Sequence, residues 1–528
     1  MPTRTFFRRQ AAIYCIAEHA TLSTQVAFNI PPLKLPVGIR RFRRHRIILG
    51  TLVVVPAASA LGLYGYMRPR ADTKPVDAPR ILVHSDGNLI TLEGEAIHVT
   101  NLNYVIRTAQ LVCVYFPLFA LYYVMCYNQY AYRLWLRWML FAVRHSGPAI
   151  VKAGQWACTR YDLFTPDFRQ VFGCLFNACG EHSIHATYAV IEKEFQRPVS
   201  DIFSEFDPKP IGSGSIGQVH HAVLRETGEK VAVKVMHPNT VRDISRDIYL
   251  INMLARFVDR WVPSVDFLCL PDLALAWTNQ LAAQVDFRVE AENLASFQNN
   301  FKDIPYVKFP HPVASTRQVL IESFAIGEPM TNERLAKQSD YMKDKLSFAG
   351  LNCFCKMLLR DNFIHSDMHP GNLLINTESD PPSVTLIDVG LVQRLGAEEA
   401  HLSNELMLGF CTWDAERIAR TLLAAGSKQK WCNESKFIQE IKEVVQLYRP
   451  QGQSGEYTDM SDVLAGCFNV IRANKVQMDS QYVSFLVGLL TLESFIMTLN
   501  PKFNIAAHCT PWLVSSPSIA RVVRSWVV

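Results

Sequence analysis

Two short stretches decide the fold: Gly212-Ser-Gly214-Ser-Ile-Gly217-Gln-Val219, and behind it Lys230-Val-Ala-Val-Lys234-Val-Met236. The first fits G-x-G-x-x-G-x-V, a spacing shared by dinucleotide-binding turns and by loops that cover nucleotide phosphates. A dinucleotide site needs a helix directly after the glycines. Here Gln218-Val-His-His-Ala-Val-Leu224 alternates instead, turns through Glu226-Thr-Gly228-Glu229, and runs into a second alternating segment. Strand, glycine loop, strand, turn and strand is the order in which backbone amides close over phosphates, so Gly212, Gly214, Ser215, Gly217 and Val219 are candidate nucleotide contacts. Lys234 stands inside Val231-Ala-Val-Lys-Val235. A buried ammonium with no partner costs several kcal/mol, so this side chain must meet an anion. Phosphates and a helix glutamate are the two expected.

Further along lies Ile364-His365-Ser-Asp367-Met-His-Pro-Gly-Asn372, which contains H-x-D-x-x-x-x-N, the spacing of a kinase catalytic loop. Asp367 would orient the attacking group and accept its proton, and Asn372 would hold magnesium. The strand-like Val384-Thr-Leu-Ile-Asp388-Val-Gly390 follows, with Asp388 a second metal ligand. Oxygen donors of this kind suit Mg2+. His369 could be read as a transition-metal ligand, but Pro370-Gly371 behind it marks a turn. Four such pieces in the right order predict a kinase-like fold that binds ATP and Mg2+.

Composition frames this site. Of 528 residues, 49% are hydrophobic and 19% charged, enough apolar material for a large core. The net charge of +5 is too small to argue for nucleic acid. Thirteen cysteines, odd in number and without C-x-x-C pairs, read as reduced, mostly buried thiols. The basic excess is local: residues 1–46 hold nine Arg/Lys and a single acid, Glu18, a composition that suits an organelle-import presequence. Residues 47–66 carry no charge, and twenty residues of helix reach about 30 Å, the thickness of a bilayer core. They are expected to form a transmembrane helix. Residues 67–134 form a linker containing a second apolar stretch, Ala109 to Tyr127, interrupted by Pro117. That stretch is expected to span the membrane, lie in its interface or pack on the domain behind it.

The remainder divides into a helical extension (135–205), a strand-rich lobe with a helical insert (206–330), and a helical lobe with the catalytic loop (331–528). The fold class is therefore α+β: a bilobal, atypical protein-kinase-like fold with an N-terminal helical extension and a membrane anchor.

Two more motifs make a family visible. Gly147-Pro148-Ala-Ile-Val-Lys152-Ala-Gly154-Gln155 contains K-x-G-Q, and Gln284-Val-Asp286-Phe-Arg-Val-Glu290-Ala-Glu-Asn293 stands where an E-x-D segment and a helix glutamate are expected. With the clusters above, the chain resembles the UbiB/AarF-domain family of atypical kinases, in its mitochondrial eukaryotic branch, over roughly residues 135–430. The resemblance implies that the K-x-G-Q helix lies across the active site, with Lys152 and Gln155 approaching the nucleotide or the E-x-D segment. Glu290 is then the partner of Lys234. Two departures stand out. Gly212-Ser-Gly214 replaces an alanine-rich loop, and Gln284 replaces the first acid of E-x-D, so an ion pair there with Lys152 cannot form.

No A-P-E segment and no long loop follow Gly390, which argues against a protein substrate. The resemblance implies an ATP-dependent kinase or ATPase at the mitochondrial inner membrane, acting in coenzyme Q biosynthesis or lipid metabolism. Its implied partners are a membrane lipid or quinone-like small molecule and coenzyme Q biosynthetic proteins. A non-catalytic, ATP-dependent scaffold, in effect a pseudokinase, is the competing expectation.

Overall fold

The computed structural model describes residues 101–512, except 162, 177–179, 263–268, 330–337, 367–369, 427–431, 450–459 and a few positions after 500, and adds a strand pair at Leu82–Val83 and Leu89–Ile90. The expected presequence (1–46) and transmembrane helix (47–66) lie outside the described residues.

Helix α1 (Asn101–Met125) starts eight residues before the apolar stretch read from sequence and continues through Pro117. One face is held by polar clamps. Arg107 donates from Nε to Asp247 Oδ1 (2.9 Å) and from Nη2 to Asp247 Oδ2 (2.6 Å), and also reaches the Ser146 carbonyl. Tyr104 packs on Tyr249 at 4.8 Å between ring centroids. The opposite face is apolar and open, with Leu102, Val112, Phe116 and Phe119 exposed. Helix α2 (Gln129–Arg144), capped by the Asn128 side chain, folds back on it. Trp135 fixes the hairpin by donating from Nε1 to the Leu118 carbonyl at 2.7 Å. Helices α3 (Pro148–Thr159) and α4 (Pro166–Phe172) complete a small core around Leu118, Leu136, Val143 and Phe172. Removing Arg107 should loosen this attachment. We expect Arg107→Ala to cost about 2 kcal/mol in thermal or denaturant unfolding, below the usual ~3–5 for a broken buried pair. Arg246, 3.0 Å from Asp247, still compensates part of its charge.

Helix α5 (Ile184–Phe195) leads into the strand-rich lobe. Its strands are β1 (Phe203–Phe206), β2 (Gly212–Ser213), β3 (Gly217–Leu224) and β4 (Lys230–Met236). Then come the helices α6 (Thr240–Trp261), α7 (Leu270–Ala283) and α8 (Phe287–Phe301), followed by β5 (Val307–Lys308), β6 (Pro312–Ser315) and β7 (Val319–Ser323). The sheet runs β1-β3-β4-β7-β6, antiparallel throughout, with β2 paired to the start of β3. Strand alternation sorts its two faces. Val231, Val233 and Val235 pack outward with Val319, Ile321, Ala222 and Ile191 of α5. Ala232, Lys234 and Met236 therefore point to the other face, towards α8 and the cleft.

The helical lobe begins with β8 (Glu328–Pro329) and α9 (Asp340–Leu359). Helix α9 is buried on nearly every side from Leu346 to Leu359, as a central helix must be. Strands β9 (Phe363–His365), β10 (Leu373–Asn376), β11 (Ser383–Leu386) and β12 (Val392–Arg394) form small sheets against it, β9 pairing with β12 and β10 with β11. Helices α10 (Ala397–Thr412), α11 (Ala415–Ala424), α12 (Glu434–Tyr448), α13 (Met460–Ala473) and α14 (Ser480–Leu499) surround it. The main core is continuous from Ala149 of α3 through Leu294, Phe297, Phe354 and Phe485 to Cys509. Cys353 and Cys355 are free, buried thiols of this core.

Candidate active site

The site is built where the cleft face of β4 meets α8 and the turn after β11. Lys234 Nζ lies 2.8 Å from both Oε1 and Oε2 of Glu290 and 3.5 Å from Asp388 Oδ2. The Phe287 ring sits beside the same ammonium, 5.3 Å away at its centroid. Burial alone would drive the proton off Lys234, but Asp388 and Glu290 outweigh it and push the pKa above the ordinary lysine value. Burial likewise favours a neutral Asp388, and here Lys234, then Lys152 and the Gly390 amide, win and hold the carboxyl well below the usual range. The site thus keeps one fixed cation and an ionised carboxylate side by side.

Backbone bonds lace the catalytic-loop segment to the Asp388 turn. His365 Nε2 contacts the Asp388 carbonyl. Ser366 N–H donates to Leu391 O at 2.9 Å and Ile387 N–H to Asn372 O at 3.1 Å. The pairing of Leu373 with Leu386 places Asn372 next to residue 387, one position before Asp388. Asn293 on α8 donates to Val389 O at 3.0 Å, locking the same turn from the other side. Gly390 N–H donates to Asp388 Oδ1 at 3.1 Å. Asp367 lies outside the described residues.

The glycine loop caps the cleft. Gly214 N–H bonds Gly217 O at 2.9 Å, which makes the tight turn. A Cβ on Gly217 would stand 2.6 Å from the Val235 carbonyl oxygen, so only glycine lets β3 lie this close to β4. Val219 pairs with Lys234 and shares its face. The Ser215 hydroxyl is buried without a hydrogen-bond partner. From behind, His237 Nε2 lies 2.9 Å from Gly214 O, and His237 Nδ1 is 2.6 Å from His182 Nδ1. Burial lowers the pKa of both histidines, His182 to about 4, which disfavours a charge on either ring. A cavity of about 470 Å³ opens beside the loop, lined by Ser215, His237, Asp243, Arg144 and Pro148.

Helix α3 lies over this region, but Lys152 and Gln155 diverge. Three residues turn a helix by about 300°, leaving the two side chains roughly 60° apart. Lys152 follows Ala149, Ala153 and Trp156, which pack on the main core. Its charge acts on both Glu290 and Asp388. Gln155 follows Val151 and Cys158 into the smaller core, where its Nε2 donates to the Leu175 carbonyl at 2.8 Å. It was expected to approach the nucleotide or the E-x-D segment, and its side chain bonds the backbone of Leu175 instead. Asp286 stands just before α8. It is the extended N-cap of α8, accepts from Arg288 N–H, and binds the Arg288 guanidinium at 2.7–3.2 Å. Gln284 ends α7 as its C-cap.

One site residue escaped the sequence reading. Glu322 of β7 is buried on the cleft face. The argument that singled out Lys234, a charge inside an apolar strand, applies equally to Val319-Leu-Ile-Glu322 and would have found it.

A strand-rich lobe and a helical lobe that clamp a lysine–glutamate pair beneath a glycine loop define a kinase-like fold. Residues 174–422 match the ABC1 atypical kinase-like domain. A probable serine/threonine-protein kinase of Dictyostelium discoideum is 26% identical over 80% of this chain and 70% of its own. An ABC1 family protein of Saccharomyces cerevisiae, named as mitochondrial, is 25% identical over 72% of this chain and 68% of its own. A probable protein kinase UbiB of Aliivibrio fischeri is 28% identical over 70% and 69%. Residues 174–422 thus carry an ABC1 atypical kinase-like domain, and the chain is similar to UbiB and to mitochondrial ABC1 family proteins.

Proposed function

We propose that this protein is an ATP-dependent atypical kinase or ATPase of the mitochondrial inner membrane, acting on a membrane lipid or quinone-like small molecule in coenzyme Q biosynthesis or lipid metabolism. The observation that carries the nucleotide half is the clamp of Lys234 between Glu290 and Asp388 under the glycine loop. In this reading Lys234 holds the phosphates, Glu290 fixes the lysine's direction, and the amides around Gly214 and Ser215 cover them. The donor set fits magnesium: Asp388 is held ionised and Asn372 is its neighbour across β10 and β11, both offering oxygen. Bound there, the ion would neutralise phosphate charge. Asp367 would orient the attacking hydroxyl or water and take its proton.

Two further observations support a small-molecule or lipid substrate. Only Leu395 and Gly396 separate β12 from α10, which leaves no platform for a peptide. Helix α3 already covers the site with Lys152. For the membrane, α1 is the one helix among the described residues long and apolar enough to cross a bilayer, over Leu102–Tyr122. Arg107 sits inside that segment, paired to Asp247 on the domain. The arrangement favours α1 lying against the domain with its open apolar face in the membrane interface.

The test is magnesium-dependent ATP binding and turnover by the full-length protein in detergent or vesicles. Asp388→Asn should lose nucleotide. Asp367→Asn should bind ATP with near wild-type affinity and stop turning over. Wild type that binds ATP yet hydrolyses none, even with membranes and quinone-like lipids, would be a scaffold. A folded wild type that binds no nucleotide would end the proposal.

A further inference from the structure

Behind the glycine loop, on the sheet face away from Lys234, five polar side chains form a continuous hydrogen-bond chain: His220, Gln218, Thr187, His182 and His237. Alternation sets Gln218 and His220 of β3 on the face of Val235 and Val233, their partners in register, and that face packs beneath α5. Thr187 of α5, Gln218 and His220 are fully buried there. Each end of the chain rests on a backbone carbonyl. His220 Nδ1 lies 2.8 Å from Asp207 O, and His237 Nε2 lies 2.9 Å from Gly214 O.

A carbonyl only accepts, so these two ring nitrogens carry protons. Burial lowers the pKa of all three histidines and favours neutral rings. His220 Nε2 and His237 Nδ1 are then lone pairs. The Gln218 amide nitrogen donates to the first at 2.9 Å, and His182 Nδ1–H donates to the second at 2.6 Å. That leaves His182 Nε2 to accept from the Thr187 hydroxyl at 3.0 Å, whose oxygen accepts from the Gln218 amide at 3.2 Å. The side-chain oxygen of Gln218 in turn accepts from His182 N–H at 3.0 Å. The two carbonyl ends thus fix the direction of the whole chain, and its last proton points at Gly214 O.

A trans peptide holds its C=O and N–H in opposite directions. The peptide whose oxygen His237 grips is the one whose N–H belongs to Ser215. A hold from the outer face therefore turns Ser215 N–H towards the cleft, the side from which Lys234 projects. Gly214 N–H is already engaged by Gly217 O at 2.9 Å, whereas Ser215 N–H has no partner among the described residues. Glycine before this peptide lets it rotate at little steric cost, so its direction needs an outside hold. We propose that His237 is a positioning residue for the nucleotide: by holding the Gly214 carbonyl from behind it aims the Ser215 amide at the phosphates, and His182, backed by Thr187 and Gln218, fixes the tautomer that does so. This rests on the nucleotide reading given above.

The experiment titrates ATP into full-length wild type, His237→Gln, His237→Ala and His237→Phe, with a melting curve for each. Glutamine sets an amide N–H near the place of the histidine Nε2–H. Alanine and phenylalanine lack the donor, one leaving space and the other filling it. The donorless variants should bind ATP on the order of 10-fold or more weakly, the range for a hydrogen bond to a charged group. His237→Gln should restore most of the affinity, which a purely packing role for the ring would not allow. Wild-type affinity in a donorless variant that melts cooperatively, or His237→Gln no tighter than the donorless pair, overturns the assignment. So does loss of folding in both donorless variants while His237→Gln folds, which would make the histidine a stability residue. Failure of wild type to bind ATP overturns the nucleotide reading itself.

Discussion

Replacing Lys234 by methionine is expected to weaken ATP binding by on the order of 100-fold or more and to destabilise the protein by about 3–5 kcal/mol. The first effect follows from removing the one ammonium that the cleft face presents to phosphates. The second follows from what is left behind. Glu290 loses the ammonium that both of its oxygens contact at 2.8 Å, Asp388 loses its nearest cation, and Glu322 stays buried beside them. Lys152 acts on Glu290 and Asp388 but makes no contact short enough to replace the pair. The pH dependence has a definite sign. Glu290 and Glu322 have folded pKa values raised above those of the unfolded chain, so the stability they contribute is present at low pH and lost as pH rises through the folded values. Without the ammonium Asp388 loses the main influence that holds its pKa down, and so no longer offsets this trend. The deficit of Lys234→Met against wild type should therefore grow from the ordinary carboxylate range upward. Urea unfolding at a series of pH values measures it. A deficit that shrinks towards alkaline pH would show that the carboxylates are not facing one another as described.

Gly217→Ala is expected to be the most damaging single-methyl change in the loop. The added carbon would lie 2.6 Å from Val235 O and 3.1 Å from Val235 C, both backbone atoms of β4, one residue beyond Lys234. Neither can move without opening the β3–β4 ladder that carries Lys234. Overpacking of this kind costs about 1–3 kcal/mol, and the lifted loop should bind ATP roughly tenfold more weakly, the equivalent of ~1.4 kcal/mol. Gly212→Ala is the control, since nothing lies within 4 Å of its added carbon. Equal effects of the two changes on melting temperature and affinity would show that the loop, rather than its approach to Val235, sets the requirement for glycine.

How far the sequence could be read depended on whether a feature was local. The glycine loop, its flanking strands and the lysine lie within 25 residues of one another, and alternation and turn chemistry are enough to order them. Glu290 is 56 residues from Lys234, yet the need of a buried ammonium for an anion, together with the family motif, led to it. Long-range partners with no motif were not legible. Arg107 and Asp247 are 140 residues apart, and no periodicity in either helix announces the pair. Likewise the meeting of His182 with His237 depends on how α5 packs on the sheet. Gln155 shows a different limit. A spacing of three suggests a common face, but a 60° divergence is enough when the helix sits at a boundary between two cores. Pro117 was read as an interruption, and the helix passes through it. A proline removes one donor and strains one turn, while the remaining contacts of α1, from Arg107 to Leu118, hold its two halves in line.

That position of α3, with Ala149 and Trp156 in one core and Val151 and Cys158 in the other, has a consequence for excision. The family match starts at residue 174 and stops at 422, but neither point is a seam in the packing. A fragment cut there would strip Ala149 and Trp156 from Trp277 and Leu281 at one end. At the other it would remove Phe485, Leu489 and Ile496 from around α9. A piece that keeps both cores whole therefore has to run from α1 to Cys509.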